Sequence, residues 1–113
     1  METGHGDCLV LPDADARDPI LGYCVISRAA DEGEIVSVAI APSKRGRGYG
    51  SLLLTDVFAL EKEKGISTIF LEVRQSNAPA MALYEKIGFY PVGIRPKYYA
   101  DTKEDARIYR KDL

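Results

Sequence analysis

Glu72 interrupts the run Ile69-Phe70-Leu71-Glu72-Val73, which is otherwise apolar. A carboxylate beside a buried sheet is desolvated, and desolvation suits it to general-base work. The residues alone leave two other readings open: a strand-end carboxylate in water, or one paired with Arg74, two residues on and on the same strand face. Tyr84, in "ALYEKIGF", is either a core aromatic on a helix or a phenol able to give up a proton. Tyr98 and Tyr99, in "PKYYAD", read as paired aromatics in a loop, where an apolar body with a hydroxyl tip suits ligand contact. Histidine and cysteine chemistry is not on offer. The single histidine, His5, lies in a polar N-terminal tail, and Cys8 and Cys24 sit in short apolar stretches that read as buried, reduced core thiols. Neither cysteine has a partner at metal-ligand spacing, so neither a triad nor a metal site is expected.

A second chemical signal is "SKRGRGYGSLLL", Ser43 to Leu54. Arg-Gly repeats can belong to flexible RNA-binding tails, but this stretch lies between a Val/Ile-rich strand ending in Ala41-Pro42 and a leucine-rich helix. Glycines there permit positive φ and close ligand approach, and a helix N-terminus favours an anion. A Walker A loop would need Gly-Lys-Ser/Thr, whereas the chain has Gly50-Ser51. The pattern that does match is R-x-x-G-x-G, at Arg45, Gly48 and Gly50.

The elements that must position these groups follow from periodicity. "DCLVLPDADARDPILGYCVIS" reads as a hairpin, two apolar runs about a polar loop, and "GEIVSVAIAP" as a third strand stopped by Pro42. "SLLLTDVFALEKEKG" is a helix whose Leu53, Val57 and Leu60 recur at helical spacing, with Gly65 at its C-terminal cap. "ISTIFLEV" is a buried strand, and Asn77 caps the helix "APAMALYEKIG", which carries Pro79 in its first turn. "FYPVGI" and "ARIYRKDL" close the fold. The expected order is β-β-β-α-β-α-β-β, an α/β mixture with an antiparallel beginning and a parallel middle.

The glycine loop in that setting resembles the pyrophosphate loop of the GNAT acetyltransferases. "LEVRQSNAPAMALYEKIGFYPVGIRPKYYAD" followed by "EDARIYRKDL" is similar to the RimI-like and Ard-type protein N-terminal acetyltransferases, over about Ile20 to Leu113. The resemblance implies one GNAT domain over residues 1–113, with acetyl-CoA as cosubstrate, no metal, and a protein or peptide N-terminus as acceptor. It implies that backbone N–H groups of Arg45, Gly46, Arg47, Gly48, Tyr49 and Gly50, with Ser51, hold the pyrophosphate. Val38 and Ile40 would bind the pantetheine arm through their backbone, a backbone N–H near Val38 would face the thioester oxygen, and Asn77 would touch the pantetheine. Glu72 would be the base, acting through water, Tyr84 the acid, and Tyr98 and Tyr99 the contacts to the acceptor peptide. Glu104-Asp105-Ala106 reads as structural hairpin chemistry. Members usually begin with a strand and two helices that wall the substrate groove, and this chain begins at what corresponds to the second strand. A CoA-binding protein of weak or no activity, or a partner subunit, therefore stays open beside the enzyme. So does a GNAT acting on a lysine or a small-molecule amine.

Composition narrows the partners. With 113 residues, 46% hydrophobic and 28% charged, the chain has the make-up of one globular domain. A net charge of -2 argues against nucleic acid as partner. No apolar run approaches the ~20 residues that span a bilayer, and "METGHGD" lacks a signal peptide's apolar core, so no membrane partner and a cytoplasmic location are expected. A sheet face without its helices would be an apolar patch, so a homodimer is expected.

Overall fold

Val- and Ile-rich runs pair into one six-stranded mixed sheet, and the two amphipathic segments become helices on one of its faces. The structure, a computed structural model, describes residues 5–12 and 20–113. Its elements are β1 (His5–Pro12), β2 (Ile20–Ala29), β3 (Glu32–Ile40), α1 (Tyr49–Glu63), β4 (Thr68–Arg74), α2 (Ala78–Lys86), β5 (Tyr90–Tyr99) and β6 (Glu104–Asp112), with a short 3-10 turn at Pro42–Lys44. The order is the expected one. The polar loop of the first hairpin, residues 13–19, lies outside the described residues.

Across the sheet the strands run β1-β2-β3-β4-β6-β5. β1, β2 and β3 form an antiparallel meander, and the helical crossover makes β3 and β4 parallel. β6 then inserts antiparallel between β4 and β5. Both crossovers advance in the same direction across the sheet, so right-handed connections put α1 and α2 on one face. There Leu53, Leu54 and Val57 of α1 and Tyr84 of α2 form one core with Cys24, Ile26, Ile35, Ile69, Leu71, Val73 and Tyr109. Strand alternation then sends Tyr23, Ser27, Phe70, Glu72 and Arg74 to the opposite face, which no described helix covers.

Four sequence expectations change. First, β5 runs through Tyr99, so Tyr98 and Tyr99 end a strand rather than sit in a loop. That end is irregular: pairing with β6 breaks between Arg95 and Tyr99, and Lys97 adopts a φ of 53°. Second, Cys24 is buried but Cys8 is exposed, because β1 is an edge strand and offers one face to solvent. Third, β1 already begins at His5, so that residue's backbone belongs to the sheet rather than to a tail. Fourth, the buried stripe of α1 is Leu53, Leu54, Val57 and Glu61, while Leu60 is 41% exposed. Glu61 can be fully buried because Arg28 of β2 reaches across the helix side and pairs with it and with Asp7. A buried carboxylate is tolerated when it is paired and hydrogen-bonded.

Candidate functional site

Two local events open a cleft at the centre of the sheet. The β3–β4 ladder runs from Glu32↔Thr68 to Ile35↔Leu71 and then ends. At the same level the β2–β3 register shifts, Ile26 facing Ile35 but Val25 facing Ser37, which leaves Val36 as an extra residue, 61% exposed. A bulge bends its strand, and here the bend coincides with the parting of β3 from β4. The cleft between them has a volume of about 410 Å³ and is lined by Val38 and Ser37 of β3, Glu72 and Arg74 of β4, and Asn77, Tyr84 and Tyr99.

The lining groups reach the cleft from different sides. Tyr84 comes from the helix face. Its ring packs edge-on to Phe89 at 5.7 Å and tilted to Tyr109 at 6.4 Å. Burial, with smaller contributions from Cys24 and Tyr99, raises its phenol above the ordinary tyrosine value, so it keeps its proton. Glu72 comes from the helix-free face and is 16% exposed. Its partner is not Arg74 but Arg95 of β5, with Nε 3.0 Å from Oε1. A second groove, of about 250 Å³ and lined by Glu34, Phe70, Glu72, Arg95 and Ile108 among others, meets the cleft at Leu71 and Glu72.

Asn77 caps α2 as expected, its Oδ1 accepting from the Ala80 N–H at 3.2 Å. Tyr99 enters the cleft, and burial followed by the negative charge of Glu72 raises its phenol, with Arg74 opposing. Tyr98 stays outside the lining, 49% exposed, and packs edge-on to Tyr99 at 5.1 Å. Val38 lines the cleft, whereas Ile40 lies toward the glycine loop, its carbonyl accepting from Arg45 Nε at 3.1 Å. Glu85 is an exposed helix charge that accepts from the Tyr109 hydroxyl at 2.8 Å.

The glycine stretch ends at Gly48, the N-cap of α1, with φ 82° and no side-chain cap; the first helical bond is Leu52 N–H to Gly48 C=O. The N–H groups at the opening of α1 are therefore available to an anion. Gly46 also has positive φ, and a Cβ added at Gly46 or Gly48 would meet nothing within 4 Å. Gly50 is different: a Cβ there would come within 3.2 Å of Leu83 Cδ2, so this glycine lets α1 sit close to α2. A helix start without a side-chain cap and with open glycine backbone fits a pyrophosphate, and the slot between β3 and β4 fits a thin acyl-carrying arm. Three contributors carried no signal in the sequence: Arg95 on Glu72, Arg74 on the β5–β6 hairpin, and the bulge at Val36. Each depends on register between strands far apart in the chain.

Among the described residues no helix is long and apolar enough to cross a membrane, and no group of His, Cys, Asp or Glu is arranged to hold a metal ion. Comparison with known proteins adds identity to this geometry. The model of the acetyltransferase (GNAT) family matches residues 2–89. The [ribosomal protein bS18]-alanine N-acetyltransferase of Haemophilus influenzae is 46% identical over 83 residues, which cover 74% of this chain and 56% of that protein. The enzyme of the same name from Escherichia coli K12 is 38% identical over 88 residues, covering 76% of this chain and 60% of that protein. The chain thus spans less than two thirds of either relative. The crystal structure of the ribosomal-protein-S18-alanine N-acetyltransferase from Escherichia coli superposes with a TM-score of 0.86 at 31% identity, covering 96% of this chain and 69% of that one. Ard1 from Thermoplasma volcanium gives 0.78 at 29% identity, covering 84% and 64%.

Proposed function

The chain belongs to the acetyltransferase (GNAT) family, and from that premise we propose that it is a single domain that moves an acetyl group from acetyl-CoA to the N-terminal α-amine of a protein. The acceptor class is that named for its relatives, a ribosomal protein beginning with alanine. The observation that carries this reading is the meeting of Glu72, Tyr84, Asn77 and Tyr99 at the point where β3 and β4 part.

Acetyl-CoA supplies an acyl group activated as a thioester. Backbone N–H groups from Arg45 to Gly50, with Ser51, hold its pyrophosphate at the start of α1. Val38 and Ile40 hold the pantetheine arm through their backbone, and a backbone N–H near Val38 faces the thioester oxygen. The cap uses the side-chain oxygen of Asn77, so a contact to the arm falls to its side-chain nitrogen. Base and acid then approach the slot from opposite faces. Glu72, on the helix-free face, takes the proton of the incoming amine through water, while Tyr84, on the helix face, keeps its proton for the departing sulfur. An α-amine, with a pKa of about 8 against ~10.4 for lysine, needs only a modest base. Arg95 holds one oxygen of Glu72 and so orients the carboxylate. Tyr98 and Tyr99 bind the first residues of the acceptor. The reading also places the reaction in the cytoplasm, without a nucleic-acid or membrane partner. It has the chain pair as a homodimer through the helix-free face, where Val10 and Tyr23 stand exposed. Size-exclusion chromatography showing monomer alone at high concentration would remove that last element.

The direct test is thiol release from acetyl-CoA in the presence of an alanine-starting peptide, with mass spectrometry locating the acetyl group on the α-amine. Glu72→Gln is expected to cut the rate about 100-fold, in the range for loss of a general base. CoA that binds, read by thermal shift, without thiol release above buffer from any peptide would overturn the proposal.

A further inference from the structure

Arg74 shares its strand face with Glu72, yet it turns away toward the β5–β6 hairpin. Its Nη1 and Nη2 donate to the two carboxylate oxygens of Asp101 at 3.0 and 3.1 Å, a bidentate pair. Nη1 also reaches Thr102 Oγ1 at 3.1 Å and Glu104 Oε2 at 3.4 Å. Glu104 in turn accepts from the Ser76 N–H at 3.2 Å, just before the Asn77 cap. Above all, the guanidinium carbon lies 4.1 Å from the centroid of the Tyr99 ring.

These contacts matter because beyond the break in the ladder the backbone holds Tyr99 at one paired position, opposite Glu104. The ladder is interrupted between Arg95 and Tyr99, and Lys97 is turned into the left-handed region. A residue at an interrupted ladder takes its position from side-chain ties. One tie is Asp105 Oδ1 accepting from the Lys97 N–H at 2.9 Å. The other is Arg74, which anchors the turn residues Asp101 and Thr102 to the end of β4 and stacks on Tyr99 from the same group. Tyr98 is tied to this through its edge-on contact with Tyr99, and its ring also lies under Arg95, 5.5 Å from the guanidinium carbon. The charge of Arg74 is already met by Asp101 and Glu104, so it is not set up to receive an anionic ligand.

We propose that Arg74 is a positioning residue for the acceptor: it seats Tyr99 in the wall of the cleft against which the acceptor peptide lies, and through Tyr99 it steadies Tyr98, which stands outside that lining. The inference rests on the acetyltransferase reading above. It assigns Arg74 no contact with substrate. The role suits arginine, because a planar fork binds Asp101 with two parallel bonds while its flat face stacks on an aromatic ring, whereas an ammonium is a point charge that cannot present fork and flat face together.

Arg74→Lys, which keeps the charge and suits the fold, tests this alongside Asp101→Asn, a change outside the cleft lining. Arg74→Lys should raise KM for an alanine-starting peptide about tenfold, the size of one lost charge-assisted contact. The KM for acetyl-CoA and the melting temperature should stay close to wild type. Asp101→Asn should move the peptide KM in the same direction by less. Independently of activity, hydrogen exchange at the Lys97, Thr102 and Glu104 amides should quicken in both variants. Wild-type turnover with an unchanged peptide KM in Arg74→Lys overturns the positioning role and leaves the acetyltransferase reading standing. Equal rises in both KM values with a fallen melting temperature also overturn it, as the mark of a merely structural residue. Absence of wild-type turnover sinks the acetyltransferase reading, and the acceptor role with it.

Discussion

Replacing Tyr84 with phenylalanine removes one oxygen and leaves the ring. The ring does the packing: it is buried against Phe89 and Tyr109 in the helix-side core, and phenylalanine retains both contacts. Loss of the hydroxyl should therefore cost no more than about 1 kcal/mol of stability, a shift of roughly 5 °C in melting temperature for a domain of this size. The effect on the reaction should be larger. A positioned general acid contributes on the order of 10²–10⁴ in rate, and a thiol, with a pKa near ~8.5, is a leaving group that needs less help than most. The expected loss is thus at the low end, about 100-fold in kcat, or ~2.7 kcal/mol of barrier. The assay is thiol release at saturating acetyl-CoA and alanine-starting peptide, with CoA affinity measured separately by calorimetry and expected within about twofold of wild type. The pH profile gives a second check. Burial raises the Tyr84 phenol, so the acid stays protonated to a higher pH than an ordinary tyrosine, and its ionisation should produce no alkaline fall in kcat below pH ~10. A Tyr84→Phe variant with kcat within threefold of wild type would refute the acid assignment.

Other outcomes follow from the same geometry. Gly48→Val places a β-branched residue at φ 82°, where it is strained although nothing crowds its Cβ; CoA affinity by calorimetry should fall at least about tenfold, and an unchanged Kd would argue against the loop as the pyrophosphate cradle. Burial pushes the Cys24 thiol up to about 12, so at pH 8 it is thiolate in only about one molecule in 10⁴, whereas Cys8 is exposed. A disulfide reagent should react quickly with one equivalent, abolished by Cys8→Ser; two fast equivalents would contradict the burial of Cys24. Asp101 is held below its ordinary value of 3.8 by Arg74, and Glu104 below 4.5 by the Ser76 N–H, Thr102 and Arg74. Because folded values that are depressed add stability above the ordinary values and lose it as pH falls through the depressed ones, each hairpin carboxylate should lose its tie at a lower pH than its ordinary value. An NMR titration should show a midpoint below 3.8 for Asp101 and below 4.5 for Glu104, and a midpoint at or above either ordinary value would show that the carboxylate concerned is not held by its partners.

Much of this molecule is written locally. Apolar periodicity, Pro42, the glycines after it, Asn77 with Pro79, and Gly65 and Gly88 each act within a few residues of themselves, so the element order and the glycine turn at the head of α1 could be read directly. Alternation along β4 also determined that Glu72 stands apart from the core side chains Leu71 and Val73. What the sequence left open was settled between strands. Whether Glu72 meets Arg74 or Arg95 depends on β6 inserting between β4 and β5 and on the bulges that set their register. The opening of the cleft depends on Val36 being extra in one ladder at the level where the next ladder stops. The burial of Glu61 against Arg28 and the seat of Tyr99 under Arg74 are likewise partnerships, across 33 and 25 residues of chain, and the exposure of Cys8 follows from the place of β1 at the sheet edge. Short-range propensity ends within about one helical turn or one strand pleat. The contacts that turn a carboxylate, two phenols and a glycine loop into one site are made at distances where only the folded sheet can bring the partners together.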